Sequence, residues 1–101
     1  MAAVWKFQIP IEDSFSLEMP IDAELLHVAI QDRQPCLWAL VEPQCATETR
    51  HFELRGTGHE LDTDRADTHC VHVGSFMMSG GAIVFHLFER VSKHRCRAVM
   101  D

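Results

Sequence analysis

No tyrosine occurs in the 101 residues. Trp5, Trp38 and most phenylalanines fall where two-residue alternation turns them inward. The exposed aromatic platform on which single-stranded nucleic acid stacks is therefore missing. Basic charge is scarce too: 9 Lys and Arg stand against 15 Asp and Glu, a net charge of −6. That balance disfavours an electrostatic grip on a phosphate backbone, so nucleic acid is not an expected partner. No apolar run approaches the roughly 18 residues of a membrane-spanning helix. The opening MAAVWKFQIP has neither the basic region nor the continuous apolar stretch of a signal peptide. The expectation is a cytoplasmic protein with no membrane partner. The cysteines at 36, 45, 70 and 96 form no C-x-x-C pair, and Cys36 and Cys70 lie in apolar runs where free thiols pack as small hydrophobes. A disulfide scaffold is not expected.

What is present is punctuation. Pro, Gly and Asp recur every 8 to 15 residues, the rhythm of short strands joined by turns. VWKFQI, residues 4–9, alternates Trp5, Phe7 and Ile9 against Lys6 and Gln8, and Pro10 ends it. Phe15, Leu17 and Met19 alternate in a second strand that stops at Pro20, and the short spacing suggests a hairpin with the first. Residues 25–33 put Leu26, Val28 and Ile30 on one face of a third strand, before the turn QDRQP. PCLWALVEP, residues 35–43, is apolar on both faces and reads as a central strand covered on both sides. RHFELRG, residues 50–56, turns Phe52 and Leu54 inward and His51, Glu53 and Arg55 outward. TGHELDTDRADT, residues 57–68, is polar and without period, an exposed loop. CVHVGSFMM, residues 70–78, alternates Val71 and Val73 with Cys70 and His72, and AIVFHLFERV, residues 82–91, is a seventh strand. Seven strands without a helix predict an all-β domain, a compact antiparallel sandwich or small barrel, over residues 1–91. Residues 92–101 read as an appended basic tail, continuing a cluster of Arg90, Lys93, Arg95 and Arg97.

Few side chains nominate chemistry. His86 interrupts the most apolar run, SGGAIVFHLFERV, on the face of Val84 and Phe88. A neutral imidazole is tolerated there if its one N–H and one lone pair find partners, and no second polar group in the sequence marks it as an acid–base catalyst. His59, His69, Cys70 and His72 have the ligand types of a zinc site, but in a strand His69 and Cys70 face opposite sides, so no metal is expected. GTGH, Gly56 to His59, lacks the third glycine and following helix of a dinucleotide fingerprint. Glu48 and Arg50 in TETR share a strand face as a surface ion pair. Ser14, Ser16, Ser75, Ser79 and Ser92 lack a nucleophile-elbow motif. The expectation is a non-enzymatic protein without a cofactor.

Four blocks, VWKFQIP, PCLWALVEP, TETRHFELRGTGHEL and GGAIVFHLF, in this order and spacing between residues 4 and 88, make the chain resemble a family of small uncharacterised bacteriophage and prophage proteins, a domain of unknown function. The resemblance implies a phage accessory protein in the cytoplasm of an infected bacterium, and brings no activity, cofactor or catalytic residue. The tail SKHRCRAVMD and the MMSGG turn carry no family pattern.

The leading expectation is an interaction module that binds a host or phage protein, with a defence component among the candidates. Its binding residues would be His59, Glu60, Asp62, Asp64 and Asp67, with a neighbouring sheet edge. An alternative is a small anion or nucleotide held by Arg50, Arg55, Gly56 and Gly58. A metal-dependent hydrolase on His59, His69 and His72 ranks third. Should a homodimer form, an edge strand or the exposed positions Met77 and Met78 would contribute.

Overall fold

The structure is a computed structural model that describes residues 1–94. Its strands are β1 (Ala3–Gln8), β2 (Ser14–Pro20), β3 (Glu24–Gln31), β4 (Gln34–Val41), β5 (Thr47–Gly56), β6 (Thr68–Met78) and β7 (Ile83–Ser92), with one 3-10 turn at Ser79–Gly81. β1-β4-β3 form one sheet and β2-β5-β7-β6 the other. Every pairing is antiparallel. Among the described residues no strand joins the two sheets, so the domain is a sandwich and not a closed barrel. The basic-tail reading changes at its start: Ser92 completes β7, and residues 95–101, with Arg95 and Arg97, lie outside the described residues.

The core follows from alternation on facing strands. Leu37, Ala39 and Val41 of β4 meet Phe52 and Leu54 of β5 and Leu87 of β7, all buried. The expected β1–β2 hairpin does not form: β1 pairs with β4 and β2 with β5. Phe7 and Phe15 must reach the same core from opposite sides, so the connector crosses between sheets. Its ends are tied accordingly, Ile9 N–H to the Pro35 carbonyl of β4 at 3.0 Å and Leu54 N–H of β5 to the Asp13 carbonyl at 2.9 Å. β4 is central, as its composition predicts, but only its inner face is covered by the other sheet. On the outer face Trp38 is half-buried beside the His27 ring, 5.9 Å away.

Two bulges reset the alternation. In β3 the register passes from Leu25↔Ala39 to His27↔Trp38, which leaves Leu26 as the extra residue. Leu25, Val28 and Ile30 therefore face the core, and the expected Leu26 is 47% exposed. In β6 the register passes from His72↔Phe88 to Gly74↔Leu87, which makes Val73 the extra residue. Val71, expected inside, is 47% exposed at the rim.

The β3–β4 hairpin closes through Asp32 (φ 52°) and Arg33 (φ 66°). Two consecutive positive φ values are the signature of a type I′ turn, which suits the strand twist but favours Asn-Gly. The left-handed region costs an ordinary L-residue about 1 kcal/mol. Arg33→Gly should therefore raise the unfolding free energy by about 1 kcal/mol. Chemical denaturation checks this, and an unchanged or lowered midpoint would contradict the turn assignment.

Candidate functional site

β5, β7 and β6 turn Glu53, Arg55, His86, Phe88, Arg90, His72 and Ser75 to the outer face of the four-stranded sheet. Most of this face is polar, and its centre is Glu53. Alternation predicts an outward, wet side chain there, but the residue is 7% exposed. Its Oε1 accepts hydrogen bonds from Ser14 Oγ and Arg55 Nη2, both at 3.0 Å, and Oε2 accepts from Arg90 Nε at 3.1 Å. Burial works to raise the carboxyl's pKa. The hydrogen bonds from Arg90 and Ser14 and the charges of Arg90 and Arg55 overcome it, so Glu53 titrates below its ordinary value.

The two arginines that hold Glu53 also hold backbone. Arg55 Nε donates to the Glu60 carbonyl at 2.9 Å and its Nη1 to the Asp13 carbonyl at 2.6 Å. Arg90 Nη2 donates to the Asp62 carbonyl at 2.6 Å and Nη1 to Thr68 Oγ1 at 3.1 Å. Arg90 thus leaves the solvated basic cluster in which the sequence places it and is a sheet residue. The loop after β5 is closed further by Cys70 N–H to the Thr63 carbonyl and Arg65 N–H to the Thr68 carbonyl, 3.0 and 2.9 Å. Polar and aperiodic as it is, the segment is fastened across the sheet rather than hanging free.

Its side chains remain exposed, Glu60, Asp62, Asp64 and Asp67 among them. Asp62 pairs with Arg65 at 3.3 Å, Asp64 with Lys93 at 2.5 Å, and Asp67 lies 3.5 Å from His94 Nε2. The hydrogen bond and charge of Lys93 hold the Asp64 carboxyl below its usual range. The His59 ring packs over Gly56, where an added Cβ would lie 3.2 Å from Cε1.

Beside the loop root runs a chain of hydroxyls and imidazoles. His86 Nε2 lies 2.7 Å from Thr57 Oγ1 and Nδ1 2.8 Å from Ser75 Oγ, which is also 3.3 Å from His72 Nε2. A neutral imidazole needs one acceptor and one donor, and two hydroxyls supply either order. His86 is thereby satisfied on a half-buried outer face, beside Phe88, whose ring meets His72 edge-on at 5.3 Å. Neither Thr57 nor Ser75 is nominated as its partner by the sequence. Val73 is the reason: without the bulge, Ser75 would share the inward parity of Val71 and miss β7's outer face.

The residues of the anion reading are not brought together. Arg50 and Arg55 stand on opposite faces of β5. Arg50 lines a cleft of about 540 Å³ between the sheets, with Ala23, Leu25, Val71, Val73 and Glu89. There its Nε and Nη2 form a two-pronged bridge to Glu89 at 2.6 and 2.9 Å, and Nη1 donates to the Ala23 carbonyl at 2.5 Å. The Glu89 hydrogen bond raises the already high Arg50 pKa, against the pull of burial, with Glu48 and Asp22 adding to it. Arg50 thus makes a part-buried pair with Glu89, while Glu48 of the expected surface pair still acts on it through its charge. In GTGH, Gly58 takes φ 91° and the turn closes by His59 N–H to the Gly56 carbonyl, while Thr57 N–H binds the Val84 carbonyl. Two amides that an anion would need are engaged.

His69 and His72 lie on opposite faces of β6, and among the described residues no three His, Cys, Asp or Glu side chains converge in a metal-ligating group. Cys36, Cys45 and Cys70 are free thiols, and burial pushes the Cys70 thiol up. Among the described residues no helix is long and apolar enough to cross a membrane.

Residues 1–97 match a family described as a domain of unknown function, DUF7352. No curated protein and no solved structure matches the chain.

Proposed function

The chain belongs to the DUF7352 family, a domain of unknown function, and from the geometry of its outer sheet face we propose that it is a non-catalytic protein-interaction module. It acts as a phage-encoded accessory protein in the host cytoplasm. Its partner presents a basic patch to Glu60, Asp62, Asp64 and Asp67.

One observation carries this reading. The backbone of the acidic loop is fixed to the sheet by Arg55 and Arg90 while its carboxylates stay in solvent. A pre-ordered backbone lowers the entropy lost when a partner docks. The in-chain contacts of Asp62, Asp64 and Asp67 are exposed and screened by solvent, so a partner's cations can displace them. A buried Glu53 beneath the loop serves the display by holding both arginines.

The test compares the full chain with the variant Glu60→Gln, Asp62→Asn, Asp64→Asn, Asp67→Asn in capture from lysate of a phage-carrying host. Four rim charges at about 0.3–0.5 kcal/mol each give roughly tenfold weaker binding and a flatter salt dependence, with thermal unfolding little changed. Capture that is equal for both proteins at every salt concentration would remove the loop from the interface.

A further inference from the structure

We propose that the open edge of β1 is the site at which a second copy of this chain adds, joining the two three-stranded sheets into one six-stranded sheet.

Among the described residues the sandwich has four edge strands, β1 and β3 in one sheet and β2 and β6 in the other. Three of them oppose such pairing. β3 is bulged at Leu26. β6 is bulged at Val73, and its first residues already bond to the loop through Cys70 N–H and the Thr68 carbonyl. β2 ends on Pro20, which offers no N–H, carries Glu18 and is preceded by Glu12 and Asp13, so two copies would bring like charges together. β1 has none of these defences except Lys6. Its six residues pair with β4 in unbroken register.

The unused groups can be identified. Ile9 N–H points to β4, since it bonds to the Pro35 carbonyl. Alternation then points Phe7, Trp5 and Ala3 the same way and aims the N–H and C=O of Val4, Lys6 and Gln8 outward. Among the described residues no main-chain bond outside the β1–β4 ladder takes up those groups.

Charge selects a second copy as the occupant. A chain of net charge −6 repels itself over most of its surface, yet residues 1–10 and 34–41 contain no acidic side chain, and their cations are Lys6 and the Met1 amino group, which pairs with Glu42 at 3.2 Å. This is where self-repulsion is least. A two-fold axis through Trp5 places Val4 opposite Lys6 of the second copy and Gln8 opposite Ala2, so no like charges meet. It also covers Val4 and Trp5, which are 57% and 39% exposed.

Light scattering coupled to size exclusion, with the full chain at high micromolar concentration, should give twice the 11.5 kDa chain mass. Val4→Pro removes an outward N–H and leaves the β1–β4 ladder intact. It should give a monomer with an unchanged far-ultraviolet spectrum, while Met77→Lys on β6 stays dimeric. In the wild type, the Val4, Lys6 and Gln8 amides should exchange with solvent at least tenfold more slowly in the dimer than on dilution. That measurement decides the matter even if the proline variant fails to fold. A monomeric wild type, a dimer that survives Val4→Pro, or fast exchange at those amides would overturn the proposal.

Discussion

Glu53→Gln is expected to lower the unfolding free energy by about 3 kcal/mol at neutral pH, the cost of removing one partner from a buried ion pair. The substitution keeps the side chain's shape but not its charge. The Arg90 side chain, 7% exposed, is then left with neutral acceptors alone: the Thr68 hydroxyl, the Asp62 carbonyl and, in one amide orientation, the single glutamine oxygen. Neutral acceptors do not compensate a guanidinium removed from water. The amide also turns an N–H₂ toward Arg90 or Arg55, or toward Ser14, in place of an acceptor.

The pH dependence has a definite sign. A carboxyl whose folded pKa is depressed stabilises the fold above its unfolded value and loses that contribution as pH falls through the folded pKa. For Glu53 the unfolded reference is 4.5 and the shift is downward. Wild-type stability should hold above about pH 4.5 and decline below it, while Glu53→Gln lacks that part of the decline. Urea titrations at pH 7 and from pH 5 to 3 measure both effects. Equal stability at pH 7, or parallel acid limbs, would show that the network is not the clamp described here. Because Arg55 and Arg90 also hold the loop, the same variant should loosen residues 57–67, read as faster amide exchange at Cys70, whose N–H binds the Thr63 carbonyl.

Gly74→Ala should cost about 2 kcal/mol, within the range for forcing extra volume into a packed core. An ideal Cβ at Gly74 would lie 2.5 Å from Val28 Cγ1, closer than carbon atoms approach. Val28 cannot yield easily: it is 4% exposed, and a β-branched side chain has few rotamers. The contact joins β6 to β3 across the sandwich. Val28→Ala alone should destabilise by opening a cavity, yet in the Gly74→Ala background it should restore stability, giving a favourable coupling in a double-mutant cycle. Simple additivity of the two changes would mean that the sheets are not in contact at this point.

Seven strands were legible in the sequence because alternation of apolar and polar residues is a local property. Phe52 and Leu54 could be placed inside from period two alone, whereas Leu37 and Leu87 lie in runs that are apolar on both faces. The failures came where a partner strand, not the segment itself, sets the register. Nothing local marks Leu26 or Val73 as an extra residue, since a bulge is defined by the strand it opposes. A single bulge reverses every parity that follows it, which is why Ser75 arrives beside His86 instead of in the core. Alternation correctly turns Glu53 outward, but what buries it is distant in sequence: Arg90 lies 37 residues away and is itself tied to the loop at the Asp62 carbonyl.

The amino-acid order by itself determined an all-β chain, the strand that occupies the centre of its sheet, the acidic loop, and the need for His86 to find hydrogen-bond partners. Tertiary structure alone decided that β1 and β2 part into different sheets, that Arg50 binds Glu89 of β7, and that Arg55 and Arg90 strap the loop down. Side-chain direction within a strand follows from adjacent residues, whereas ion-pair choice and strand partnership depend on groups tens of residues apart that meet only when both sheets close on one core.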